Sequence, residues 1–162
     1  MRRRTLMGKK QEGFYWNYTM GDILNYGFTL QGSGEMTNEG FRLDKGGRID
    51  KTDLIYEDYE FEATFTKDTI NIAYLGYIPT NIQLYHRMLR YKSGTTFLGT
   101  VGNNAAGETI RVVKKGDTQT IYRGKEILYE NVNVASDTGK YIAFVNTSMS
   151  HFTIQKVSLK PI

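Results

Sequence analysis

At 162 residues, with 40% hydrophobic and 23% charged side chains, the chain is sized for one globular domain and is far from the composition of a disordered polymer. Without cysteine it has no disulfide framework, thiolate metal site or thiol nucleophile, and its two histidines, His86 and His151, leave little for a histidine-based metal site. The formal charge of +4 belongs to one end: Arg2, Arg3, Arg4, Lys9 and Lys10 fall among the first ten residues, which hold no acid, while the remainder holds 16 basic against 17 acidic residues.

No run approaches 18 apolar residues, the length needed to span a membrane as a helix, and the first ten residues lack the apolar core of a secretory signal. The basic segment reads as an arm for phosphate backbones, an acidic protein surface or anionic lipid. The alternative for such a segment is a solvated chain end. Phe14, Tyr15, Trp16, Tyr18, Tyr26 and Phe28 follow, interrupted by Gly13, Gly21 and Gly27. This stretch is expected to be a packing linker with one short helical turn near residues 20–25. Its aromatics, Tyr15 and Trp16 foremost, staple the arm to the body or fill a subunit interface.

From Gly34 the pattern has period two. A strand, a turn at Asn38-Glu39-Gly40 and a second strand with Phe41 and Leu43 on one side are predicted, then a turn at Lys45-Gly46-Gly47. Tyr59, Phe61, Ala63 and Phe65 alternate with Asp58, Glu60, Glu62 and Thr64, a half-buried strand with an acidic face. Residues 69–78 and 80–91 read as interior strands separated by Pro79, with Ile82 and Leu84 on one parity and Tyr85, Leu89 and Tyr91 on the other. A strand over 95–101 and an exposed loop over 102–108 follow. A three-stranded meander is predicted at 109–114, 118–122 and 125–129. Strands at 141–145 and 151–159 close the chain, the last with a parity shift that predicts a bulge near Gln155-Lys156.

Many short strands, frequent turns and no convincing helix define the expected fold class. It is all-β, an antiparallel two-sheet β-sandwich of jelly-roll type over residues 32–162, preceded by an extended basic arm and linker over 1–31.

The stretch Ile110-Arg-Val-Val-Lys-Lys-Gly-Asp-Thr-Gln-Thr-Ile-Tyr-Arg-Gly-Lys-Glu-Ile resembles a passage of the concanavalin A-like lectin and glucanase superfamily, the laminin G-like group included. That passage runs strand, Gly-Asp, strand ending in Tyr, x-Gly-Lys, strand; Arg123 stands where many members have Asn. Gly40-Phe-Arg-Leu-Asp-Lys-Gly-Gly, Tyr59-Glu-Phe-Glu-Ala-Thr-Phe and the closing segments Gly139-Lys-Tyr-Ile-Ala-Phe and Phe152-Thr-Ile-Gln-Lys-Val-Ser-Leu-Lys-Pro extend the resemblance over about residues 32–161. It implies a jelly roll whose concave face binds a glycan and, in some members, hydrolyses one.

Hydrolysis needs two carboxylates at controlled spacing. Asp58, Glu60 and Glu62 share a face, but the Glu-x-Asp-x-x-Glu strand of the glucanase branch has no match here, and the polar side of an amphipathic strand accounts for all three. No catalytic residue is assigned. Asp44, Asp50 and Asp53 fit no EF-hand spacing and read as turn acids, so calcium and other cofactors are not expected.

Sugar binding needs aromatic faces and polar side chains, for which Tyr74, Tyr77, Tyr85, His86 and Tyr91 are the candidates; core packing is the alternative for each tyrosine. The basic opening followed by a lectin-like sandwich is also similar in layout to small virion proteins of tailed bacteriophages. That likeness implies a non-enzymatic virion component for capsid decoration or for tail or fibre attachment. Its arm (Arg2, Arg3, Arg4, Lys9, Lys10, Tyr15, Trp16) would anchor it to other subunits of a homo-oligomeric assembly or to nucleic acid, with cell-surface glycan as a further partner. A free-standing carbohydrate-binding module is the alternative, with a glycoside hydrolase behind it.

Overall fold

The computed structural model describes residues 12–66, 73–78, 80–85, 88–93, 96–103, 109–133, 141–147 and 151–162, with strand pairing and register alone between residues 73 and 103. The chain forms β1 (Phe14–Asn17), β2 (Thr29–Gln31), β3 (Gly34–Thr37), β4 (Gly40–Leu43), β5 (Arg48–Lys51), β6 (Tyr59–Phe65), β7 (Ala73–Ile78) and β8 (Thr80–Tyr85). It continues with β9 (Met88–Ser93), β10 (Thr96–Asn103), β11 (Thr109–Lys115), β12 (Thr118–Arg123), β13 (Glu126–Asn133), β14 (Tyr141–Asn146) and β15 (Phe152–Pro161). Among the described residues the only helical elements are two 3₁₀ turns, Tyr18–Met20 and Ile23–Tyr26.

The strands make two antiparallel sheets. Sheet A runs β13-β12-β11-β6-β15-β4-β3, with β1 also paired to β15; sheet B runs β10-β9-β8-β7-β14-β5-β2. The alternation in β6 explains how sheet A packs. Tyr59, Phe61, Ala63 and Phe65 are all buried, and Phe61 meets Phe144 of sheet B with ring centroids 6.5 Å apart. Each large apolar side chain closed off in this way contributes about 1.5–3 kcal/mol. This is the two-sheet sandwich expected from the pattern.

β15 organises sheet A. One of its edges lies along β6; the other is divided, with residues 152–154 against β4 and 156–159 against β1. The register against β6 slips between Ile154 and Lys156, where the parity shift predicted a bulge. At the foot of β4, Gly40 adopts φ +143°, and a Cβ there would lie 2.3 Å from the Ile154 carbonyl oxygen. Only glycine lets the two backbones approach so closely.

Three expectations are corrected. The stretch after the arm is part of the sandwich: β1 adds to sheet A and β2 to sheet B. Phe14 and Trp16 share one parity of β1, and covering the free edge of β15 satisfies backbone groups that a loose linker would leave to water. β5 was not anticipated, because Arg-Ile-Asp-Lys offers one apolar residue to a period-two pattern. Finally, residues 80–91 form two strands instead of one, with Tyr85 paired to Met88. The turn flips the parity, so Leu89 and Tyr91 fall opposite Leu84 and Ile82 and share their face. The predicted loop lies largely outside the described residues, but Gly102 and Asn103 belong to β10.

Candidate functional site

The carboxylates of β6 are on sheet A. Glu60 pairs with Lys160 at 3.3 Å and Arg111 at 3.7 Å, Glu62 pairs with Lys156, and Asp58 Oδ1 accepts the Gly116 N–H at 2.8 Å. Glu60 and Glu62 are thus engaged with neighbouring strands, and Asp58, just before β6, with the turn between β11 and β12. Arg111 also lies 3.9 Å above the Tyr122 ring. The three aspartates read as turn acids behave likewise, although Asp50 lies within β5 and not in a turn: Asp44 pairs with Arg42 at 3.0 Å, Asp50 with Arg48 at 2.8 Å and Asp53 with Lys51 at 2.9 Å. Each cation stands two residues before its acid, on the same strand face or its continuation. Among the described residues no group of side chains is arranged to hold a metal ion.

Sheet B carries the candidate tyrosines. Burial fixes its two faces: Ile49 and Lys51 of β5 and Ile142, Phe144 and Asn146 of β14 are buried, whereas Arg48, Asp50, Tyr141 and Val145 are half-buried. Directly opposed residues of an antiparallel pair share a face. One outer row therefore crosses all seven strands: Gln31, Arg48, Val145, Tyr74, Gln83, Arg90 and Thr100. At the usual strand spacing it spans roughly 29 Å. Tyr85, two residues beyond Gln83, has the same parity. Tyr77 pairs with Ile142 and Tyr91 with Ile82, so by register both have the parity of the core-side rows. His86 lies outside the described residues.

Arg48 and Tyr141 add functional groups that sequence reasoning missed. The Arg48 Nε donates to Asp50 Oδ2 at 2.8 Å, and its guanidinium carbon lies 5.6 Å from the centre of the Tyr141 ring. The Asp50 hydrogen bond raises the Arg48 pKa above its ordinary value, with Tyr141 assisting and burial opposing. The outer face thus presents a permanent cation beside an aromatic ring. The only signal available earlier was the Arg-Ile-Asp alternation of β5.

Of the arm residues, Arg2, Arg3, Arg4, Lys9 and Lys10 lie outside the described residues. Tyr15 is exposed on the outer face of sheet A, whereas Trp16 is fully buried and its indole N–H donates to the Gly21 carbonyl at 2.9 Å. Trp16 therefore staples β1 to its own body and offers no surface to a second subunit. Where the arm joins the body, the Tyr56 hydroxyl donates to the Glu12 carbonyl. Glu12, Asp53, Leu54, Ile55 and Tyr56 line a shallow groove of about 300 Å³ there.

No protein-family model matches this sequence, and no curated protein sequence matches it either. Solved structures do. A carbohydrate-binding module, CBM66 from Bacillus subtilis, is 15% identical with a TM-score of 0.64, covering 83% of this chain and 95% of its own. The exoplasmic domain of VIP36 bound to Ca²⁺ and mannose is 16% identical with a TM-score of 0.64, covering 84% and 83%. The β-glucanase of Bacillus licheniformis is 11% identical with a TM-score of 0.66, covering 94% and 99%. At identities this low the likeness shows the fold alone, the two-sheet jelly-roll sandwich of concanavalin A-like type.

Proposed function

We propose that this concanavalin A-like sandwich is a non-enzymatic carbohydrate-binding protein whose glycan lies across the outer face of sheet B. The observation that carries the reading is the seven-strand row from Gln31 to Thr100, in which Tyr74 stands among Arg, Gln and Thr positions. Aromatic faces stack on sugar rings while amides, guanidinium groups and hydroxyls bind sugar hydroxyls. The carboxylates needed for hydrolysis are on the opposite outer surface of the sandwich, with two sheets about 10 Å apart in between, and are engaged there. Similar structures that bind carbohydrate support the reading by analogy of fold.

The test is a glycan array followed by calorimetry on the bound hit. Tyr74→Ala and Tyr85→Ala are expected to weaken binding at least tenfold, with Tyr15→Ala on sheet A unaffected. An array with no hit, or a loss confined to Tyr15→Ala, rejects the reading.

A second reading is favoured by the basic arm. Five cations precede a groove edged by Glu12 and Asp53, at the point where the chain enters sheet A. In this reading the sandwich is displayed in an assembly, such as a bacteriophage virion, with the arm holding other subunits or nucleic acid. Because β1 begins at Phe14, removing residues 1–10 leaves every described strand whole. Light scattering of the two forms at low and moderate salt is expected to show an oligomer or a nucleic-acid complex that requires the arm. Monomers in both forms rule this reading out.

A further inference from the structure

We infer that the ligand of the outer face of sheet B is an acidic glycan, one bearing carboxylates of the uronate or sialate type. The inference rests on the carbohydrate-binding reading and deepens it.

It follows from where the charges fall. The row that crosses sheet B has two charged positions, Arg48 on β5 and Arg90 on β9, both cationic. In the next outer row, Thr29, Asp50, Ala143 and Gly76 occupy β2, β5, β14 and β7, and Asn81 and Lys92 occupy facing positions of β8 and β9. Three cations thus share these rows with one acid, Asp50, and that acid is held by Arg48 at 2.8 Å. The outer face of sheet A is built differently. There Glu62 stands opposite Arg111 and Glu60 opposite Lys160, and the cations Arg111, Lys156 and Lys160 each have a carboxylate within reach.

Arg90 is the position that decides the ligand. Its register neighbours are Gln83 and Thr100, and Met88 and Lys92 flank it on its own strand face, so no carboxylate occupies an adjacent position of its row or strand. A guanidinium group binds a carboxylate through two parallel N–H donors and discriminates strongly against a neutral group in its place. Gln83 and Thr100 on either side are suited to the hydroxyls of the same sugar. Tyr74 lies two strands away, about 10 Å, within the span of a short oligosaccharide. Arg48, already neutralised by Asp50, is the weaker partner for an anion.

The test uses the full-length protein and two matched probes, an oligogalacturonate and its methyl ester, which keeps every hydroxyl but carries no charge; an oligosialate serves as a second acid. At least one acid is expected to bind, with the ester at least tenfold weaker than the galacturonate or the sialate. Arg90→Gln is expected to lower acid binding at least tenfold, with an unchanged circular dichroism spectrum and thermal midpoint reporting an intact fold. Equal binding of acid and ester, or a glycan-array profile confined to neutral sugars, overturns the acidic ligand while the carbohydrate reading stands. No binding to any glycan rejects both. Acid binding that survives Arg90→Gln but is lost in an Arg2→Gln/Arg3→Gln/Arg4→Gln variant assigns the charge to the arm and overturns the inference. So does equally tight, Arg90-dependent binding of a single-stranded oligonucleotide.

Discussion

The side-chain amide of Asn146, on sheet B, donates to the main-chain carbonyl of Leu43, on sheet A, at 2.8 Å in the buried interior. The Asn146 backbone completes the junction, accepting from Gly46 N at 2.8 Å and donating to the Gly47 carbonyl at 2.9 Å. This is where the chain crosses from β4 in one sheet to β5 in the other. Asn146→Leu keeps the branched shape of the side chain but leaves the Leu43 carbonyl without this donor, at an expected cost of about 1–3 kcal/mol. Urea unfolding followed by circular dichroism measures it. No change in the midpoint would mean that the crossing is held by the backbone bonds alone.

Trp16 is expected to behave as a core residue. Trp16→Ala removes a fully buried indole and should cost about 3–5 kcal/mol, and Trp16→Phe, which loses chiefly the bond to Gly21, about 1–2 kcal/mol. If Trp16→Phe instead altered the solution mass with stability unchanged, the residue would belong to a subunit contact.

Two glycines separate steric from conformational constraint. Gly40→Ala meets the Ile154 carbonyl as well as a positive φ and should cost about 3 kcal/mol or more. Gly116, with φ +55° and open space around it, is subject to the backbone term only, so Gly116→Ala should cost about 1–2 kcal/mol. Equal losses at the two sites would contradict the close approach of β4 and β15.

Burial, followed by the charges of Asp53 and Glu12, raises the Tyr56 pKa above 10.0. The folded protein therefore favours the protonated phenol. Its contribution is fully present below pH 10.0 and is lost as pH rises through the folded pKa, because the unfolded chain ionises first. Tyr56→Phe should cost about 1 kcal/mol at neutral pH through the lost bond to Glu12. Above pH 10.0 that deficit should shrink or reverse. Stability curves for the two proteins that stay parallel across this range would remove the assigned cause.

The degree to which the fold was legible varied along the chain. β6 was unambiguous because four apolar residues alternate with polar ones without interruption, and the bulge in β15 was visible because Ile154 and Val157 cannot share a face without one. β1 and β2 were hidden in an aromatic, glycine-broken stretch whose period was obscured by the 3₁₀ turns between them. For the candidate tyrosines the sequence offered only residue type and a parity read across one long strand; the register sets Tyr74 opposite Gln83 and Tyr85 opposite Met88, and Tyr77 and Tyr91 opposite Ile142 and Ile82. Arg48, Asp50 and Tyr141 carry no local motif.

Period two, turn residues and net charge are local properties, and a cysteine-free β-sandwich with a basic end can be read from them directly. Which strands become neighbours cannot. A row such as Arg48, Tyr74 and Arg90 exists because β5, β14, β7, β8 and β9 are adjacent, and adjacency is fixed by long-range pairing that no local pattern encodes. The parity of β9 illustrates the reason: a strand that continues keeps its faces, whereas one that turns back between Tyr85 and Met88 exchanges them.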